Sequence, residues 1–223
     1  MGRLTLAKFK ILPSLLSADI TQIGEEVSAV MQAGADMLHV DVMDNHYVPN
    51  LTFGPLMCQG LRKRFGDLQI DVHLMVSPVD ALIKQFAEAG ATRISIHPDA
   101  TIHLDRSLQL IQESGCQVGL VINPATSLHC IDYCLHRLDY VLLMTVNPGF
   151  AGQTLIPEVI TNISKLHKQH PTLPICVDGG ITSDNIGQLA RAGAIEFVAG
   201  SAIFNSGDYA KTIAKMREQL SYE

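Results

Sequence analysis

A chain of 223 residues runs to about one and a half times the usual domain length, so one large domain or two small ones fit. Its apolar share of 47% excludes intrinsic disorder, and no apolar stretch reaches the roughly 18 residues of a membrane span. A net charge of −6 without any basic run disfavours nucleic acid and anionic membranes as partners. From the N-terminus onward, the leading MGRLTLAKFK lacks the unbroken apolar core of a secretory signal. A first strand is predicted at Lys10–Leu16, then a helix at Ile20–Ala33 and a strand at Met37–Val42. A long loop, Met43–Gly54, precedes a strand at Gln69–Leu74, a helix at Val79–Ala89 and a strand at Arg93–His97. Next come a helix at Leu104–Ser114 and a strand at Gln117–Ile122. Cys130 and Cys134, four apart, read as one helix face rather than a metal pair. A strand at Tyr140–Met144 leads into a second long loop, Thr145–Thr154, and a helix at Pro157–Gln169. A strand at Ile175–Val177, a helix at Asn185–Ala192 and a strand at Glu196–Ala199 follow, with a short helix over Gly200–Phe204.

Runs such as Val118–Ile122 and Tyr140–Met144 are apolar on both faces, as parallel strands covered by helices should be. Eight of them with intervening helices predict a single (β/α)8 TIM barrel spanning residues 1–223, and no linker or charge block divides the chain. Gly34, Gly90, Gly115 and Gly193 each stand where a helix stops and a strand begins, which marks repeated αβ units. The five cysteines, odd in number and without framework spacing, fit a reducing compartment, so a cytoplasmic location is expected.

Active sites of such barrels form at the C-terminal ends of the strands. Strand two ends His39-Val40-Asp41-Val42-Met43-Asp44, and alternation puts His39 and Asp41 on one face. Strand three carries Asp71-Val72-His73-Leu74-Met75, and strand seven ends Val177-Asp178-Gly179-Gly180. His39, Asp41, His73 and Asp178 together suit zinc or another divalent first-row metal. None of the eight lysines is placed at a strand's C-terminal end, which excludes a Schiff-base aldolase; arginine is absent there too. A bound metal would fill that gap as a Lewis acid. The segment Asn147–Gln153, Gly179-Gly180 and Gly200-Ser201 lie at the same end, where backbone N–H groups can hold a phosphate. Met43, Met75 and Met144 are expected to cover the site with polarizable apolar surface.

With Pro13–Asp19, Val48-Pro49-Asn50, Asn147-Pro148-Gly149-Phe150 and Gly200–Phe204 added to these motifs, the chain resembles the ribulose-phosphate 3-epimerase family over nearly its whole length. The resemblance implies a ribulose-phosphate binding barrel and an isomerase of the pentose phosphate pathway, acting on ribulose 5-phosphate to give xylulose 5-phosphate. It implies that His39, Asp41, His73 and Asp178 bind one divalent ion (zinc, iron(II), manganese or cobalt), with Asp41 and Asp178 doubling as the acid/base pair. Ser14, His73, Gly149, Phe150, Ala151, Gly152, Asp178, Gly179, Gly180, Gly200 and Ser201 match its substrate contacts. It also implies a homo-oligomer, dimer or hexamer.

Two positions depart from the family pattern. Asn45 replaces a common Gly, and Ala151 stands in a loop that commonly reads Gly-Phe-Gly-Gly. Ala151 resembles the allulose 6-phosphate 3-epimerase branch, which is the alternative substrate assignment. A non-catalytic sugar-phosphate binding barrel is the rival outside enzymes; it would keep the glycine loops without all four ligands. The expected chemistry removes the C3 proton, α to the C2 carbonyl, and returns one to the opposite face. Two carboxylates on opposite sides of a planar enediolate give inversion.

Overall fold

The computed structural model describes residues 9–221. Eight parallel strands run in chain order as β1 (Lys10–Pro13), β2 (Leu38–Met43), β3 (Ile70–Met75), β4 (Arg93–Ile96), β5 (Gln117–Ile122), β6 (Tyr140–Met144), β7 (Ile175–Asp178) and β8 (Glu196–Ala199). They pair in the order 1-8-7-6-5-4-3-2, and a parallel bridge from Ser14 to His39 joins the two ends. The sheet is therefore a nearly closed TIM barrel. Around it lie α1 (Ile23–Gln32), α2 (Pro55–Phe65), α3 (Asp80–Glu88), α4 (Leu104–Glu113), α5 (His129–Cys134), α6 (Val159–Gln169), α7 (Ile186–Ala192), α8 (Ser201–Phe204) and α9 (Tyr209–Leu220).

Strand alternation sorts the core into two layers. Outward residues such as Val40, Ile70, Val72, Leu74 and Ile94 pack under helix residues that include Val27, Ile83, Phe86 and Leu108. Inward residues Leu12, Tyr140, Leu142, Met144, Cys176 and Val198 fill the barrel interior together with Met37 and Val121. Lower in the interior the filling is ionic. Arg93, 2% exposed, sets Nε 2.8 Å from Asp71 and Nη1 2.5 Å from Glu196, with its guanidinium 4.0 Å over the Tyr140 ring. Tyr140 donates its hydroxyl to Asp71 at 2.9 Å, and Lys10 closes the chain on Glu196 at 2.8 Å. A buried cation survives only when anions pair it, as Asp71 and Glu196 do here.

The predicted strands are all present; β5, β6 and β8 keep their predicted bounds, and the ends of the others move by one residue or a few. β1 stops at Pro13, short of the expected Leu16, because the Ser14 hydroxyl accepts from Leu16 N and starts a 3-10 turn at Leu15–Ser17. The helix expected over Ile20–Ala33 begins as a 3-10 turn, Ile20–Gln22, capped by Asp19. The four glycine stops all take positive φ, between 79° and 115°. Cys130 and Cys134 share α5, and all five cysteines are free thiols. Seven lysines lie in helices or at the start of β1, as expected; Lys8 is outside the described residues. Among the described residues no helix is long and apolar enough to cross a membrane.

Candidate active site

The strand ends bring four of the predicted residues together. His39 and Asp41 come from β2, His73 from β3 and Asp178 from β7, all buried, with ligand-capable atoms within 4.8 Å of one another. Register does this: His73 pairs directly with Asp41 across β2 and β3. Asp41 Oδ1 lies 3.2 Å from His39 Nε2 and 3.1 Å from His73 Nδ1. Asp178 Oδ2 lies 3.5 Å and 3.7 Å from the same two nitrogens. A tetrahedral ion with bonds of roughly 2.1 Å holds its ligands roughly 3.4 Å apart, close to these spacings. The two carboxylates also match the charge of a divalent ion. The residues present fit the metal.

Electrostatics point the same way. Burial disfavours charge on His39, yet Asp41 and Asp71 outweigh it and raise its pKa well above the ordinary value. Burial likewise opposes ionisation of Asp41, but His39 and His73 hold its carboxyl far below the usual range. The cluster is thus a trap for positive charge. Ser14, for which the resemblance implies a substrate contact, donates to Asp41 Oδ2 at 2.6 Å. Thr145 fixes Asp178 from the backbone side, its N donating to the Asp178 carbonyl at 2.7 Å.

Above the cluster one pocket is lined by Ser14, Asp41, Asp178, the Gly149–Gly152 loop, Gly179-Gly180 and Gly200-Ser201. His39 and His73 lie beneath its floor, fully buried. Met43, Met75 and Met144 line it, and Met43 and Met75 also cluster with Val48. Phe150 is 56% exposed, at the rim. The loop carrying Val48 is held down at both ends. Asp44 accepts from the backbone N–H groups of His46, Tyr47 and Ser77, and Asn50 donates to the Gly149 carbonyl at 2.8 Å.

Gly180 is irreplaceable on geometric grounds. Its φ is +67°, and a Cβ would sit 2.6 Å from the backbone N of Leu155. Left-handed backbone costs a non-glycine residue about 1–2 kcal/mol before that clash is counted. Gly180→Ala should thus lose about 2 kcal/mol or more of stability. The unfolding midpoint followed by circular dichroism should then fall by roughly 4–8 °C for a chain of this size.

Two residues at the site went unassigned in the sequence. Asp71 accepts from His39 Nδ1 at 2.7 Å, and His97 Nε2 lies 2.8 Å from His73 Nε2. Strand alternation puts both on inward faces, Asp71 with His73 and His97 with Arg93 and Ser95, but the partners they serve come from other strands. Burial, then His73, pushes the His97 imidazole well below its ordinary pKa.

Comparison with known proteins agrees with this geometry. The profile described as Ribulose-phosphate 3 epimerase family matches residues 10–204. The chain belongs to the ribulose-phosphate 3-epimerase family. It is 50% identical over 220 residues to the ribulose-phosphate 3-epimerase of Escherichia coli K12, covering 97% of this chain and 98% of that one. Against the ribulose-phosphate 3-epimerase of Serratia marcescens it is 51% identical over 210 residues, covering 92% and 100%. Solved structures share the fold at low identity. A KGPDC structure from Streptococcus mutans aligns with a TM-score of 0.75 at 16% identity, over 94% of this chain and 96% of that one. The 3-hexulose-6-phosphate synthase of Salmonella typhimurium aligns at 0.72 and 17% identity, over 95% and 98%. As an epimerase family, it places this barrel among isomerases, and the cluster of His39, Asp41, His73 and Asp178 is where its chemistry can be sought.

Proposed function

We propose that this barrel inverts C3 of ribulose 5-phosphate to give xylulose 5-phosphate, a step of the pentose phosphate pathway. The observation that carries the reading is the donor set of His39, Asp41, His73 and Asp178 at metal-like spacing, two carboxylates on the floor of a glycine-lined pocket and two imidazoles just beneath it. When bound there, a divalent ion (zinc, iron(II), manganese or cobalt) supplies Lewis-acid polarisation of the C2 carbonyl and C2 oxyanion. Asp41 and Asp178 carry the protons. They stand on β2 and β7, so they reach C3 from different sides of the mouth. One removes the C3 proton and the other returns a proton to the opposite face of the planar enediolate. Ser14 orients Asp41 through its hydroxyl. Met43, Met75 and Met144 exclude water above the reacting carbons. The backbone of Gly149, Phe150, Ala151, Gly152, Gly179, Gly180, Gly200 and Ser201 takes the phosphate, and the five glycines among them let oxygens approach closely.

A coupled assay on ribulose 5-phosphate tests the reading, and turnover of that sugar with formation of xylulose 5-phosphate is the expected result. Free ribulose should be poorer by orders of magnitude in kcat/KM, because the glycine loops have nothing to hold. Equal efficiency on the free sugar would remove the phosphate role. Ala151 favours a second arm: allulose 6-phosphate should be assayed beside ribulose 5-phosphate, and the higher kcat/KM assigns the substrate. The family resemblance further supports a cytoplasmic homo-oligomer, a dimer or hexamer, which light scattering would weigh directly. We also read the chain as one unit, since its eight strands share one sheet.

A further inference from the structure

His39 and His73 turn different ring nitrogens to the centre of the cluster. His39 presents Nε2, at 3.2 Å from Asp41 and 3.5 Å from Asp178. His73 presents Nδ1, at 3.1 Å and 3.7 Å from the same carboxylates. An imidazole that offers a lone pair to a cation must carry its proton on the other nitrogen. What that other nitrogen touches then decides the tautomer.

For His39 the other nitrogen is Nδ1, 2.7 Å from Asp71 Oδ2. Asp71 is wholly buried, and Arg93 Nη2 and the Tyr140 hydroxyl both donate to it, at 3.1 Å and 2.9 Å. A carboxylate so placed can only accept, so His39 Nδ1 donates. For His73 the other nitrogen is Nε2, 2.8 Å from His97 Nε2. Two ring nitrogens at that distance share one proton, one donating and one accepting. With His73 Nδ1 free for a cation, its Nε2 is the donor and His97 Nε2 the acceptor. His97 is wholly buried directly after β4, its ring 4.8 Å from that of Tyr47. Tyr47 is pinned in turn by its hydroxyl, 2.8 Å from Asp99 and 3.2 Å from Asn123.

We propose that Asp71 and His97 are positioning residues that hold the two metal-facing imidazoles in opposite tautomers, His39 protonated on Nδ1 and His73 on Nε2. One partner is an anion locked into the ionic layer below; the other is a neutral ring clamped by the loop above. The inference rests on the proposed metal role of His39 and His73.

The test uses the full-length protein with histidine labelled in nitrogen-15 and loaded with zinc. Long-range proton–nitrogen spectra should show one zinc-bound imidazole protonated on Nδ1 and another on Nε2. The same tautomer in both rings overturns the proposal. Zinc affinity is then measured by competition with a chromophoric chelator. His97→Phe keeps a ring but offers no acceptor, and should weaken zinc binding by roughly 10–100-fold. His97→Gln places an amide oxygen near the lost Nε2 and should recover most of that loss. Asp71→Asn should weaken binding by a similar factor, since its amide can donate to His39 and force the wrong tautomer. Circular dichroism identifies any variant that fails to fold, and the wild-type spectra stand as the test without it. Wild-type zinc binding with unchanged affinity in His97→Phe and Asp71→Asn overturns the positioning role alone. A wild-type protein that binds no divalent ion overturns the metal reading and this inference with it.

Discussion

Asp178→Asn is expected to lower kcat/KM by more than the ~10²–10⁴-fold of losing one general acid or base. The amide removes a proton carrier and also an anionic donor that sits 3.5 Å and 3.7 Å from the two imidazole nitrogens. Asp41→Asn should cost at least as much, because Asp41 bridges both imidazoles and accepts from Ser14. Measuring bound metal beside activity separates the two losses. A variant that keeps its metal yet loses turnover has lost the proton carrier; one that loses both has lost the ligand. Run in D₂O, the unmodified enzyme should place solvent deuterium at C3 of xylulose 5-phosphate and none at C1. Product that retains its original C3 hydrogen would overturn the two-carboxylate mechanism.

Removal of metal should have the next largest effect. Among the described residues no lysine or arginine lines the mouth: Arg93 is committed to Asp71 and Glu196 in the lower barrel, and Lys10 to Glu196 at its base. Without a cation, negative charge developing on the C2 oxygen would face two carboxylates. The loss of Lewis-acid stabilisation, several kcal/mol, amounts to ~10³-fold or more in turnover. Protein stripped with a strong chelator should be inactive, and zinc, iron(II), manganese or cobalt should restore it. Full activity in protein with no detectable metal would end the metal reading.

Much of this was legible in the residues themselves. The strands β5 and β6 are apolar on both faces, and Gly34, Gly90, Gly115 and Gly193 stop helices where positive φ is needed, so the barrel could be read directly. The helices α2 and α9 left weaker traces. Only Cys58 and Leu61 of α2 are buried, and α9 buries Ile213, Met216 and Leu220 along a narrow stripe. His39 and Asp41 declared themselves by alternation on one strand. Asp71 and His97 did not, because their meaning depends on neighbours across strands. Asp71 lies opposite His39 only in the β2–β3 register, and His97 reaches His73 from beyond β4. Sequence spacing carries no record of such pairs. Ser14 shows the same limit: it lines the pocket, and its bond to an aspartate 27 positions away appears only once the barrel is closed.

That hydroxyl also sits on the barrel's seam. Among the described residues seven of the eight neighbouring strand pairs share continuous ladders, whereas β1 and β2 meet through one isolated bridge between Ser14 and His39, with the Ile11–Asp36 bonds below it. The weakest closure of the sheet is thus built from the residues that assemble the donor cluster. Heat that parts the seam disconnects Ser14 from Asp41 and His39 from its strand neighbour while the other seven ladders still hold. Inactivation on warming should accordingly run ahead of the loss of helical signal. A bound cation, tied to β2, β3 and β7, would bring the two events closer by stitching the cylinder from within.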